Sequence, residues 1–223
     1  EIDVPIFNTA VSENISFDEI AAQLNTKLYA ATELELFRSE LKQALGLALV
    51  NRSANAETVC GVLNRDSAIS AAEELGILDK QSANETKRYE RFLAFDSGRK
   101  SKMYQVIAND ARPYTVQTLR KSVHDAILVA QVSEAKSWDS INTSFAESED
   151  LLDVTGYNSL DANQKGKVCQ IVYDKRGIGS MQRLLDVVKS AVASVTENVG
   201  GGGGGGGGSR PSSGGSYSGG YDA

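Results

Sequence analysis

The sequence predicts a mainly all-α fold, an antiparallel helix bundle packed around one long central helix. Three observations predict it. Apolar residues recur at steps of three and four along most of residues 15–199, the period of one helical face. Capping-box pairs, a Ser or Thr followed three residues later by Glu, stand ahead of several of these runs. The stretch from Tyr114 to Trp138 contains neither glycine nor proline, and at about 1.5 Å per residue it would make a helix roughly 40 Å long.

Residues 1–14 read as an extended N-terminal arm, with Pro5 and few helix formers. Ser16 and Glu19 cap a first helix carrying Phe17, Ile20, Leu24 and Leu28. Thr32 and Glu35 open a second, whose face of Leu34, Phe37, Leu41, Leu45, Ala48 and Leu49 runs to about Arg52. So short a gap implies a hairpin or a sharp corner. Asn55 caps a short helix with Val59, Val62 and Leu63. Asp66 caps another with Ile69, Ala72 and Leu75, stopped at Gly76. Ser82 and Glu85 open a helix through Tyr89, Phe92 and Leu93. Phe95 to Gly98 has turn chemistry and Met103 to Ile107 reads as a short strand, so a small β-hairpin is expected near 92–107.

Pro113 suits the first turn of the central helix, where no N–H donor is needed. Val116, Leu119, Val123, Ala126, Ile127 and Ala130 form its apolar face, and Thr118, Arg120, Lys121, Asp125 and Gln131 fall mostly on the other side. Ser144 with Glu147 caps a segment holding Leu151, Leu152 and Val154, ended by Gly156. Ser159 opens a helix with Val168, Ile171 and Val172 that stops near Gly177. Residues 180–198 carry the clearest stripe: Met181, Leu184, Leu185, Val188, Ala191, Val192 and Val195. From Gly200 the chain becomes nine glycines followed by a Ser, Gly and Tyr segment. Nothing there offsets roughly 1–2 kcal/mol of backbone entropy per residue, so 200–223 is expected to be a flexible, disordered tail. Residues 15–199 are therefore the core domain.

No apolar run approaches the length that spans a bilayer, so no membrane partner is expected. Cys60 and Cys169 stand in apolar helical contexts and read as reduced core thiols. One histidine and two distant cysteines do not make a structural zinc site. Asp161 to Val172 begins like a calcium loop, but Lys165 and Val172 occupy ligand positions, so a helix-capping turn explains it better. Gly177-Ile178-Gly179 lacks the third glycine of a dinucleotide loop. His124 has no second histidine to work with, and neither cysteine has a visible base. The expectation is a protein that is not an enzyme, with no cofactor and no metal.

Charge is the informative feature. The net charge is −6, which argues against a general DNA-coating role, but the charges are segregated. Residues 1–40 hold eight acids and two bases, 80–121 hold ten bases and four acids, and 134–161 hold seven acids and one base. In the basic block Arg88, Arg91, Arg99, Lys100, Lys102, Arg112, Arg120 and Lys121 are candidate nucleic-acid contacts. Tyr89, Phe92, Phe95 and Tyr104 are interleaved with them, and unpaired bases stack on aromatic rings and guanidinium planes. Lys175-Arg176 is a weaker second candidate. Glu147, Glu149, Asp150 and Asp153 are either a solvated face or a cluster brought together across a contact between subunits. A basic strip of one copy meeting an acidic block of the next would be heterologous and would propagate.

Two short segments carry a resemblance. Asn142-Thr143-Ser144-Phe145-Ala146-Glu147 is similar to the Ser-Phe-Glu motif of rod-type plant-virus coat proteins, with an Ala intervening. Arg91-Phe92-Leu93-Ala94-Phe95-Asp96 is similar to the Phe-Asp pair of flexuous ones, without the aromatic that should follow. With the α-rich core and small-residue tail, the chain resembles coat (capsid) proteins of rod-shaped or filamentous plant RNA viruses. That resemblance implies a homopolymer packaging single-stranded RNA, found in the virion or the host cytoplasm. The alternative is a monomeric or small-oligomer adaptor module with a disordered tail, and an enzyme of unknown class is the third reading.

Overall fold

A computed structural model of the chain describes residues 16, 18, 34–53, 55–63, 82–175 and 177–200. The N-terminal arm, the helix expected after Ser16, the helix expected after Asp66, Arg176 and the tail beyond Gly200 lie outside the described residues. Within the described residues the fold is all-α, with no strand. Its helices are α1 (Leu34–Arg52), α2 (Ala56–Leu63), α3 (Ala83–Leu93), α4 (Ser97–Asn109), α5 (Val116–Ser133), α6 (Trp138–Ala146), α7 (Glu149–Leu152), α8 (Ala162–Asp174) and α9 (Met181–Gly200). Single 3-10 turns at Asp153–Thr155 and Tyr157–Ser159 join α7 to α8. Helix α5 is central as expected: α3, α4, α6 and α9 all pack on it, α2 packs on α4, and α8 bridges α6 and α9.

The central helix differs from the sequence expectation in two ways. It is shorter, because Thr115 and Thr118 form its capping box after Pro113 and Tyr114, and Ser137 caps a new helix at Trp138. It is also buried all round in its middle: Ser122 to Ala130 are buried without a break, His124 and Asp125 included. A helix wrapped by four others has no solvent face, so the polar side expected at Asp125 is covered. Tyr114 ties its start to α1. The Asn51 side chain donates Nδ2–H to the Tyr114 carbonyl at 3.1 Å and accepts from the Tyr114 N–H at 2.7 Å. The Tyr114 hydroxyl donates to the Ile107 carbonyl at 2.8 Å.

Residues 92–107, where a hairpin was expected, hold the end of α3, a turn at 94–96 and most of α4, with no strand. Asp96 is the N-cap of α4, accepting from the Arg99 N–H at 2.9 Å, rather than part of a hairpin turn. Met103, Tyr104, Val106 and Ile107 are all buried, and the steps of three and four among them are helical. Ser144 does not cap a helix either; it sits inside α6, donating to the Ser140 carbonyl at 2.9 Å. The helix expected from Ser159 begins at Ala162 instead, where Asp161 and Gln164 close the capping box. Gly156 and Gly177 do stop their segments, at φ of 79° and 82°, a backbone region that costs a residue with a Cβ. Cys169 is fully buried and Cys60 half-buried, both as free thiols.

Candidate nucleic-acid interface

The acidic and basic blocks meet inside a single chain. Helix α3 lays Arg88 against the start of α7, and its guanidinium donates from Nη1 and Nη2 to the two Asp150 oxygens at 2.7 and 2.8 Å. Arg88 is 1% exposed, whereas the Asp150 side chain is 42% exposed. One turn on, Arg91 makes the same two-pronged contact with Glu147, at 2.7 and 3.0 Å. Such fork-to-fork pairs are the strongest ion-pair geometry available to a carboxylate. Asn84 adds a 3.3 Å hydrogen bond to Asp150. Lys165 reaches Glu149 at 3.2 Å, and Asn158 donates to Asp153.

All four carboxylates expected at a contact between copies therefore have partners on their own chain. Asp150 and Glu149 nevertheless keep 42% and 47% of their side chains exposed. Arg88, at 1% exposure, does not face the surface. The ionisation of these groups follows the pairing. Burial alone would raise the Asp150 carboxyl, but the hydrogen bonds and charge of Arg88 hold it below its ordinary range. The hydrogen bond and charge of Glu147 raise Arg91.

Behind this pair lies a second group of charges, on α5. Arg120 donates to Glu85 at 2.6 Å, and the other Glu85 oxygen stands 3.8 Å from the His124 Nε2. Both His124 ring nitrogens are buried without a hydrogen-bond partner among the described residues. Burial first, and the charge of Arg88 next, push its pKa down to about 4 against the opposing pull of Glu85. In the unfolded chain the same ring takes its proton near 6.5. Between those two pH values the unfolded state binds more protons, so stability is lost as pH falls through the window, by about 3 kcal/mol in all. Urea midpoints measured at neutral pH and at the foot of that window are expected to separate in the native chain and to draw together in His124→Gln.

Two of the accessible basic residues meet at one opening. Arg91 of α3 and Arg99 of α4 line a cleft of about 390 Å³, floored by Phe95 and Gln131 and closed by Ser140, Thr143 and Ser144 of α6. Arg91 keeps half of its side chain exposed despite Glu147. Arg99 contacts Asp96 at 3.1 Å and reaches the Glu134 carbonyl at 3.5 Å. The three hydroxyls each donate to a backbone carbonyl of their own segment. The guanidiniums are consequently the cationic groups available to an anion there.

No family model, curated protein or solved structure matches this chain. What the surface can do is thus read from its chemistry alone.

The remaining expected contacts are spread around the bundle. Lys100 stands over the Phe92 ring at 5.8 Å, and Lys102 is half-buried. Arg112 donates to the Ala108 carbonyl at 3.2 Å, and Lys121 pairs with Asp125 while staying mostly exposed. Arg120 is committed to Glu85. Of the interleaved aromatics offered for stacking, Tyr89, Phe95 and Tyr104 are buried and Phe92 packs against the core. Among the expected residues only Arg91 and Arg99 share the cleft. The α6 hydroxyls and Gln131 carry no sequence signal of their own; the α5–α6 corner brings them there.

Proposed function

We propose that this chain is a structural, self-assembling subunit that binds single-stranded RNA, of the kind that coats a viral genome in the virion or the host cytoplasm. The observation carrying it is the two-arginine cleft of α3 and α4, which stays open after the other charge pairs have closed. Arg91 and Arg99 take phosphates there. Guanidinium forks match phosphate oxygens in the way they match carboxylates. An acidic chain can bind a polyanion through such a local site, because only the phosphate-facing patch must be basic. Glu147 is then the competitor that RNA displaces from Arg91. Contact between copies draws on the apolar side chains left outside the core, such as Leu93 and Val154, rather than on exchanged charge blocks.

A second reading, a non-assembling interaction module, is favoured by one finding: Arg88 with Asp150 and Arg91 with Glu147 join the basic and acidic blocks within a single copy. Filter retention of labelled RNA separates the cleft from this reading. Arg91→Ala with Arg99→Ala is expected to weaken retention and to reduce the slope of log affinity against log salt by about 1.4, about 0.7 for each phosphate of a single strand that is no longer neutralised. Retention and slope equal to the native chain's at every salt would remove the cleft. RNA binding by particles that stay monomeric would favour the module.

A further inference from the structure

Helices α6 and α8 enclose a second groove, of about 500 Å³, on which Trp138 is the aromatic wall. Trp138 is the sole tryptophan of the chain and one of the few large apolar side chains left outside the core, 37% exposed at the first residue of α6. Its ring lies against Gly166 of α8, where an added methyl group would meet ring carbon Cζ3 at 3.7 Å. The ring therefore contacts α8 and remains partly exposed at the groove.

Polar groups around the ring remain available to a ligand. Asn163 and Lys167, four apart on α8 and so on one face, carry no hydrogen bond or ion pair among the described residues. Asn142 uses its oxygen to accept from the Tyr157 hydroxyl at 3.3 Å, which leaves its amide N–H donors to the groove. Gln170 donates to Asp174 at 3.3 Å and keeps its oxygen as an acceptor. Asp139 adds a carboxylate on the same wall as Trp138. One flat aromatic face, donors and acceptors of both kinds, and one cation is the equipment for a nucleotide. Every base offers a π-face to stack, while amides and carboxylates read its edge.

We infer that this groove seats one unpaired base of single-stranded RNA on Trp138, with the adjoining phosphate on Lys167. It rests on the RNA reading above but is a separate site, on the α6–α8 side of the bundle. Asp139 gives the seat a preference. A carboxylate accepts from the exocyclic amino groups of adenine, cytosine and guanine, and uracil has none. Asp139 also repels phosphate, which places the backbone on the Lys167 side.

Because Trp138 is the sole tryptophan, emission excited at the red edge, where the tyrosines do not absorb, reports this groove. Titration with four-nucleotide oligomers at low salt is expected to quench it saturably, several-fold more tightly for oligo(A) and oligo(C) than for oligo(U). Lys167→Ala is expected to weaken the quench several-fold and to lessen its salt dependence, and Asp139→Asn to level the difference between bases. Trp138→Phe, followed by anisotropy of labelled oligomer, shows the same weakening without relying on the fluorophore. Emission indifferent to every oligomer overturns the inference. So does emission that shifts with protein concentration alone, which would mean that another copy covers Trp138. RNA retained through Arg91 and Arg99 with Trp138 silent would sink this groove and leave the first cleft standing. Quenching at Trp138 with retention unaffected by the arginine pair would do the reverse.

Discussion

Asp150→Ala is expected to lower the unfolding free energy by about 3 kcal/mol, read as a drop in the urea midpoint at unchanged slope. Removing one member of a buried ion pair costs about 3–5 kcal/mol, because the charge left behind has neither its water nor its partner. Here the abandoned charge is the Arg88 guanidinium, at 1% exposure. The lower end of the range applies because Asp150 stands at the rim, so water can enter once the carboxylate is gone. Among the described residues Arg88 would keep only its 3.4 Å contact with the Glu147 carbonyl. The double variant Arg88→Met with Asp150→Leu is expected to recover most of the stability, since apolar groups of similar volume replace buried pairs at little net cost. A double variant as unstable as the single one would show that the pair holds α3 in a way packing cannot.

Phe145→Ala is expected to be the most damaging single core change, costing about 3–5 kcal/mol by the forfeited transfer free energy and the cavity left behind. Phe145 is fully buried at the end of α6, and its ring meets the edge of Tyr157 at 5.2 Å with the planes 80° apart. That pair contributes about 0.5–1.5 kcal/mol beyond its buried area. Tyr157 is itself buried in the 3-10 turn leading to α8, with its hydroxyl against Asn142 and Cys169. The substitution therefore loosens the corner where α6, α7 and α8 meet. Phe145→Leu keeps most of the volume and is expected to destabilise far less. Equal midpoints for Phe145→Ala and the native chain would mean that this corner is not part of the cooperative core.

Helix periodicity was legible wherever one face of a helix stays in water. The stripe of Leu184, Val188, Ala191 and Val195 is buried in α9 as its spacing implied, and Ser82 caps α3 at the expected residue. Periodicity misled where burial is complete. Around Ser122 to Ala130 the polar residues are enclosed by other helices, and no local pattern distinguishes a covered Asp125 from a solvated one. Asp96 was ambiguous for another reason: Asp before Ser-Gly serves equally as a turn residue and as an N-cap. The buried positions Met103, Tyr104 and Ile107 decide for the helix.

The site was half legible. Segregated charge in the sequence marked Arg91 and Arg99, and they do share an opening. What the sequence could not show is where the acids go. Arg88 and Asp150 are 62 positions apart, and their meeting depends on how the α6–α7 corner folds back over α3. Two bidentate pairs, Arg88 with Asp150 and Arg91 with Glu147, join blocks of opposite sign within the chain. The cleft is what that pairing leaves open.

Sedimentation velocity of the full chain, with and without single-stranded RNA across a range of salt, tests the central claim most directly. Large RNA-dependent particles that dissolve as salt rises, and that fail to form with Arg91→Ala and Arg99→Ala, are the predicted result. Single 23.8 kDa particles in every buffer, indifferent to RNA, would contradict it.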